Sequence, residues 1–244
     1  MFIIGDLHGY VPNVEHIVKQ IDACNDSVDN IIFCLGDVGI SYGPYGYRDM
    51  RVAMNNSGFR WIVMRGNHDD RYFEKNINSS RYSVVQWEEL DANLLVDDEY
   101  PNIGYLPDGP SDFLYMGQRF LCLPGGFSVD KYYRNAFGKY WNPDEMLTMD
   151  ELNAAMDMAY GSQYDYVFSH VAPMAWEPEI SRYFTDGIDQ SMIDKSMEKC
   201  YDTILEYVSE KNPDYEWFFG HYHFDTCVGS GHGNMLYKRV LTIN

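Results

Sequence analysis

The feature that most constrains this chain is a pattern met three times in its first third. A short apolar run stops at a glycine, and acidic, amide or imidazole groups follow at once. Phe2-Ile3-Ile4 leads into Gly5-Asp6-Leu7-His8-Gly9. Ile31 to Leu35 leads into Gly36-Asp37-Val38-Gly39, and Trp61 to Met64 leads into Arg65-Gly66-Asn67-His68-Asp69-Asp70. Asp6, Asp37 and His68 fall 31 residues apart. A strand–helix–strand unit takes roughly 30 residues, and its crossover is almost always right-handed. Two such units in succession put Asp6, Asp37 and Asn67 on one edge of one parallel sheet. Open α/β sheets bind their ligands at that edge, beyond the C-terminal ends of the strands.

The rest of the chain is consistent with this start. A helix is predicted after Gly9, with Pro12 near its first turn and Val11, Val14, Val18 and Ile21 on one face. Asp26 to Asn30 reads as a polar turn, Ser41 to Tyr47 as a loop, and residues 48–57 as a helix. Residues 71–90 read as helical with breaks. Strand signals follow at residues 93–96, 103–106, 113–115 and 119–123, with Met116-Gly117 as a two-residue hairpin turn. These predict a second sheet, antiparallel in part. Leu123 to Ser128 then leaves in a loop toward the same edge. Thr148 and Glu151 have the spacing of a capping box, which opens a helix to about Tyr160. Asp165 to His170 and Trp217 to His223 are two more strands that run into imidazoles, with a long helix over residues 190–211 between them. Residues 235–243 read as a closing strand, and Gly229 to Gly233 as a flexible turn without the lysine of a phosphate loop.

Asp6, His8, Asp37, Asn67, His68, His170, His221 and His223 therefore all stand at strand ends. Carboxylate oxygen, imidazole nitrogen and one amide oxygen suit divalent Mn, Fe or Zn better than Ca. In Asp6-x-His8 and His221-x-His223 the alternation of an extended chain would send both side chains of a pair the same way. The donors exceed the needs of one ion, and Asp37, in the middle, is the natural bridge between two. Two ions roughly 3.5–4 Å apart can bind the oxygens of a phosphate and activate a water. His16 and His232 fall outside the pattern and are expected at the surface.

Composition narrows the partners. A formal net charge of -19 argues against a nucleic acid held mainly through phosphate contacts. The five cysteines are odd in number and hold no C-x-x-C pair. With Cys34 and Cys122 inside strand-like runs, this suits a reducing cytoplasm rather than a disulfide scaffold. No apolar run reaches the roughly 18 residues of a membrane span, and the N-terminus enters a strand with no signal peptide. The 244 residues suit one α/β domain.

Gly-Asp6-Leu-His8, Gly-Asp37, Gly-Asn67-His68-Asp69, the lone His170 and Gly-His221-Tyr-His223 occur in that order over nearly the whole chain. In this the sequence resembles the calcineurin-like metallophosphoesterases. The resemblance implies a four-layer α/β/β/α double β-sandwich with mixed sheets, one domain over residues 1–244 and the metal site at strand C-terminal ends. It also implies two divalent ions. Asp6, His8, Asp37 and His223 would hold the first, and Asp37, Asn67, His170 and His221 the second. Asn67 and His68 would meet the substrate, with His68 as the general acid beside the catalytic Asp37. Arg65-Gly-Asn-His is similar to the protein-phosphatase branch and makes Arg65 a candidate phosphate contact. That branch carries Asp-Arg in its second block, however, and here Asp37 is followed by Val38. Gly125 to Lys131 resembles a bacterial and phage branch, and Lys131 and Arg134 are further candidate cations. The expected activity is hydrolysis of a phosphate ester, a monoester of a protein or small molecule first. A phosphodiesterase or nucleotide hydrolase, and a non-catalytic metal-binding member of the same fold, remain as alternatives.

Overall fold

The computed structural model describes residues 1–24, 30–40, 48–138, 142–183 and 193–243. The expected loop at 41–47, all but Asn30 of the expected turn at 26–30, and residues 190–192 lie outside the described residues.

The opening units form as the spacing requires. Strand β1 (Phe2–Ile4) is followed by helix α1 (Val11–Cys24), β2 (Ile31–Cys34), α2 (Arg48–Asn55) and β3 (Arg60–Val63). The three strands pair in parallel, β1 with β2 and β2 with β3. The face that α1 buries carries Val14, Ile17 and Ile21, while Val11 and Val18 sit at its margin.

Residues 71–90 differ from the expectation. Only the short α3 (Tyr72–Asn76) is α-helical there, and Tyr82–Trp87 is strand β4. Its Val84-Val85 pair favours extended backbone, but four of its six residues are exposed, so it shows no apolar face to a sequence reading. Strands β5 (Ala92–Asp97) and β6 (Tyr100–Tyr105) follow, and β6 pairs in parallel with β3. These strands therefore extend the first sheet and do not begin the second. The second sheet begins at β7 (Ser111–Tyr115) and β8 (Gln118–Leu123). Met116 and Gly117 join them with φ of 53° and 82°, the two left-handed residues of a type I′ hairpin turn.

The chain continues through α4 (Lys131–Ala136), α5 (Met149–Gly161), β9 (Tyr166–Ser169), α6 (Glu177–Ile180), α7 (Ser196–Lys211), β10 (Glu216–Phe219), β11 (Thr226–Val228), β12 (Gly233–Met235) and β13 (Leu241–Thr242). Thr148 and Glu151 do form a capping box at the start of α5. The closing strand is shorter than expected. Gly233–Met235 belongs to a strand of the second sheet, and only β13 returns to pair with β1. The sheets read β13-β1-β2-β3-β6-β5-β4 and β11-β12-β10-β9-β8-β7, and both mix parallel with antiparallel pairs.

Period-2 alternation explains why these strands are apolar on both faces. Ile3, Phe33 and Ile62 of the first sheet meet Phe113, Phe120, Phe168 and Phe218 of the second in a central layer. Phe33 packs edge-on against Phe168, with ring centroids 4.5 Å apart. The alternate residues Ile4, Ile32, Cys34 and Trp61 face outward onto Val14 and Ile17 of α1 and Met50 and Met54 of α2. On the other side Leu121, Val167 and Trp217 face Leu152 and Ala155 of α5 and Tyr201 and Ile204 of α7. Three apolar layers separate four layers of structure, the double β-sandwich with helices outside. Among the described residues no helix is long and apolar enough to cross a membrane.

Candidate metal centre and its cleft

The turns after β1 and β2 are tied together by backbone bonds. The N–H groups of Leu7 and His8 donate to the carbonyl of Asp37 at 3.1 and 2.8 Å, and Gly9 donates to Val38 at 2.8 Å. The strands stop before the site residues begin, so the convergence of Asp6 with His8, and of His221 with His223, does not come from extended alternation. His8, Asp37, His221 and His223 have φ between 49° and 66°. Left-handed backbone at a non-glycine residue costs of the order of 1–3 kcal/mol, and it persists where the surroundings over-determine it. Here it turns the side chains back over the sheet edge. Two glycines let them approach closely. A Cβ on Gly66 would stand 2.2 Å from Oδ1 of Asp37, and one on Gly220 would stand 2.3 Å from Oδ1 of Asp6.

The donor atoms form two neighbouring groups. Asp6, His8 and His223 offer atoms within 4.8 Å of one another, as do Asp6, Asp37 and His170. His8 Nε2 and His223 Nε2 lie 2.7 Å apart, and His223 Nε2 is 3.1 Å from Asp6 Oδ2. Asp37 Oδ1 accepts from the His68 backbone N–H at 2.9 Å. Its Oδ2 is thus the oxygen presented to His170 Nε2 at 3.6 Å, His68 Nε2 at 3.9 Å and His8 Nδ1 at 4.0 Å. Both groups share Asp6, whose two oxygens accept from the His221 N–H at 3.1 Å.

Asn67 joins through its amide oxygen. Its Nδ2 donates to Ser128 Oγ at 2.7 Å, which turns Oδ1 toward His170 Nε2 at 2.7 Å and His221 Nδ1 at 3.0 Å. His170 is oriented from behind. Its Nδ1 donates to the Leu35 carbonyl at 2.8 Å, so Nε2 is left to face the cluster. This is the arrangement by which outer partners fix the ring of a metal-binding histidine.

The electrostatics show which charge the cluster favours. Burial works to raise the Asp37 carboxyl, but the imidazoles of His170, His68 and His8 overcome it and hold the group below the usual carboxylate range. Burial works against a proton on His170, yet Asp37 opposite raises this imidazole above its ordinary value. Burial, aided by His170, pushes His221 well below the usual imidazole range, and burial also lowers His8. Buried carboxylates facing several imidazoles call for positive charge. Protons supply some of it here, and a divalent cation would displace them. The donor set passes the chemical test for such ions: all oxygen and nitrogen, with outer partners in place. The nearby thiol of Cys34 is not placed to hold an ion. Burial and the charge of Asp6 raise Cys34 well above its usual value, and its Sγ donates to the carbonyls of Gly5 and Gly36.

His8, Asp37, Asn67, His68, His221 and His223 line one part of a cleft of about 570 Å³. Arg134 lines it too, with Nε 2.5 Å from Asp130 Oδ2. Lys131 Nζ instead lies over the Phe127 ring, 4.4 Å from its centre. Arg65 does not fit its expected role. It is only 4 % exposed, and its guanidinium donates to the carbonyls of Glu145, Asp144 and Asp108 at 2.7–3.3 Å. It pins loops behind the site. His232 corrects a smaller expectation, since it is half-buried with Nδ1 2.9 Å from the Tyr215 carbonyl, whereas His16 is exposed.

Two residues matter to which the sequence assigns no role. Ser128 orients Asn67, and no local signal links residues 61 positions apart. Asp69 is buried behind the turns and accepts from the N–H groups of Gly66, Val38 and Gly39 at 3.0–3.3 Å. Burial, then the neighbouring Asp37, pushes its carboxyl up to about 7. Ser128→Ala should leave the fold intact and free the Asn67 amide to flip. Metal affinity measured by calorimetry should then fall about 10–100-fold, as for other outer-partner losses; unchanged affinity would show that Ser128 does not orient a ligand.

The family model for the calcineurin-like phosphoesterases matches residues 1–225, from the first strand to just past the last histidine pair. The chain belongs to this family. A search of curated proteins finds no match. Among solved structures, the crystal structure of a protein of unknown function from Aquifex aeolicus is similar at 14 % identity, with a TM-score of 0.36; the match covers 71 % of this chain and 81 % of that one.

Proposed function

We propose that this calcineurin-like phosphoesterase hydrolyses a phosphate monoester with two divalent ions, Mn, Fe or Zn, in its strand-end cluster. The observation that carries the reading is the convergence of seven donor side chains from five strand ends in one cluster, five of which line the cleft together with His68. Asp6, His8, Asp37 and His223 are assigned to the first ion, and Asp37, Asn67, His170 and His221 to the second. Asp37 would offer Oδ2 to both ions, because Oδ1 already accepts from the His68 N–H. When bound, such ions polarise phosphoryl oxygens and lower the pKa of a water. The chain does the rest. Asn67 and His68 flank the phosphate, and His68 gives a proton from its ring to the departing oxygen. A monoester is favoured over a diester because it would offer more free phosphoryl oxygens to two adjacent cations held by these groups. The substrate is a phosphorylated small molecule or protein. Cys34, Cys122, Cys200 and Cys227 are unpaired, the first two of them buried, which supports a reducing cytoplasm.

The test is hydrolysis of p-nitrophenyl phosphate and of its bis-ester by protein stripped with a chelator and then reloaded with Mn. Stripping should abolish turnover and reloading restore it, with the monoester preferred. Full activity in the stripped protein would overturn the reading.

A further inference from the structure

The cleft extends well beyond the donor cluster, and its far part has its own character. There Phe127, Val129, Ile180 and Ile193 supply apolar wall, and Glu177, Lys195 and Glu198 supply charge. Glu177 opens α6, Lys195 precedes α7, and Glu198 lies in the first turn of α7. Lys195 Nζ sits 3.4 Å from Glu198 Oε1 and 3.6 Å from Glu177 Oε1. Arg134, the other Arg or Lys on the wall among the described residues, is already matched by Asp130. The trio thus keeps one negative charge in excess.

Glu198 is the unusual member. It is 4 % exposed, and its Oε2 has no hydrogen-bond partner among the described residues. A buried carboxylate oxygen left unpaired is costly, and a charge-assisted bond from a cationic donor relieves that cost best. Burial already raises the Glu198 carboxyl, despite Lys195 beside it. With cations at the strand-end cluster, the cleft would be positive at one end and negative at the other, with apolar wall between.

From this juxtaposition we infer that Glu198, with Glu177 and Lys195, forms a recognition subsite for a protonated amine on the leaving group. The substrate class is then a zwitterionic phosphate monoester with an apolar spacer between phosphate and ammonium. The phosphate end of this inference rests on the phosphoesterase reading; the amine end rests on Glu198 alone.

The experiment separates the two. Calorimetry with Mn-loaded protein compares ω-aminoalkyl phosphonates with n-alkyl phosphonates of matched, increasing length, so no turnover is needed. At one spacer length the amine should bind about 10–100-fold more tightly, the usual worth of a hydrogen bond to a charged group. Glu198→Gln should bring that ratio to parity, and Lys195→Met, which enlarges the surplus negative charge, should increase it. Equal binding of amine and alkyl probes at every length, or a ratio that Glu198→Gln leaves intact, overturns the subsite and makes Glu198 a structural partner of Lys195 only. Failure of the phosphoesterase reading would appear separately, as no hydrolysis of p-nitrophenyl phosphate alongside amine-selective binding.

Discussion

Asp37→Asn is expected to cost metal affinity at both positions and to remove nearly all turnover. The change is close to isosteric, and an amide oxygen can still accept the His68 N–H that now sits 2.9 Å from Oδ1. What is lost is the anionic Oδ2, which faces three imidazoles within 4.0 Å. An amide NH₂ there would aim donors at His8 and His170 and at any cation between them. Disturbing an outer partner of a metal site alone costs about 10–100-fold in affinity, so loss of an inner carboxylate should cost at least about 100-fold. Metal per chain under saturating Mn should be two in the wild type and fewer in the variant, with thermal unfolding of the metal-free proteins similar. The comparison has a sharp contrary outcome. Asp6, not Asp37, is common to both compact groups of acids and imidazoles. If Asp37→Asn still loads two ions with undiminished affinity, the bridge is Asp6.

The fold was legible where a strand carries its environment in its own residues. Ile3 and Phe33 alternate with Ile4 and Cys34, and both sets are apolar because both faces are covered. The 31-residue rhythm then orders β1, β2 and β3 without further information. β4 defeats the same reasoning: its exposed face carries no pattern, and its place at the sheet edge is set by its pairing with β5. Nor can a sequence show that β6 lies beside β3, since that pairing joins Trp61 to Ile103. Which residues gather at the sheet edge is legible from their position after strands. What brings His8, His221 and His223 together is left-handed backbone, not extended alternation. Arg65 shows the limit of motif reading. Its neighbours Gly66 and Asn67 stand at the site, whereas its own side chain reaches backward to carbonyls of residues 108, 144 and 145.

His68→Asn separates catalysis from binding, because His68 is proposed to serve the substrate and not the ions. Its backbone N–H holds Asp37, and an asparagine keeps that bond. Its ring lines the cleft, with Nε2 3.9 Å from Asp37 Oδ2. The proposed task is to deliver a proton to the oxygen that leaves phosphorus. General acid help of this kind is worth about 10²–10⁴-fold where the leaving oxygen needs it. An alkoxide needs it, being a strong base. A p-nitrophenolate does not, being a stable anion as it departs. The variant should therefore keep both ions, lose about 10²–10⁴-fold in kcat on an alkyl or seryl phosphate, and lose far less on p-nitrophenyl phosphate. Equal losses on the two substrates with metal content intact would make His68 an electrostatic or orienting group. A fall in metal content would make it a ligand, and the donor assignment around Asp37 would then have to be redrawn with His68 inside it.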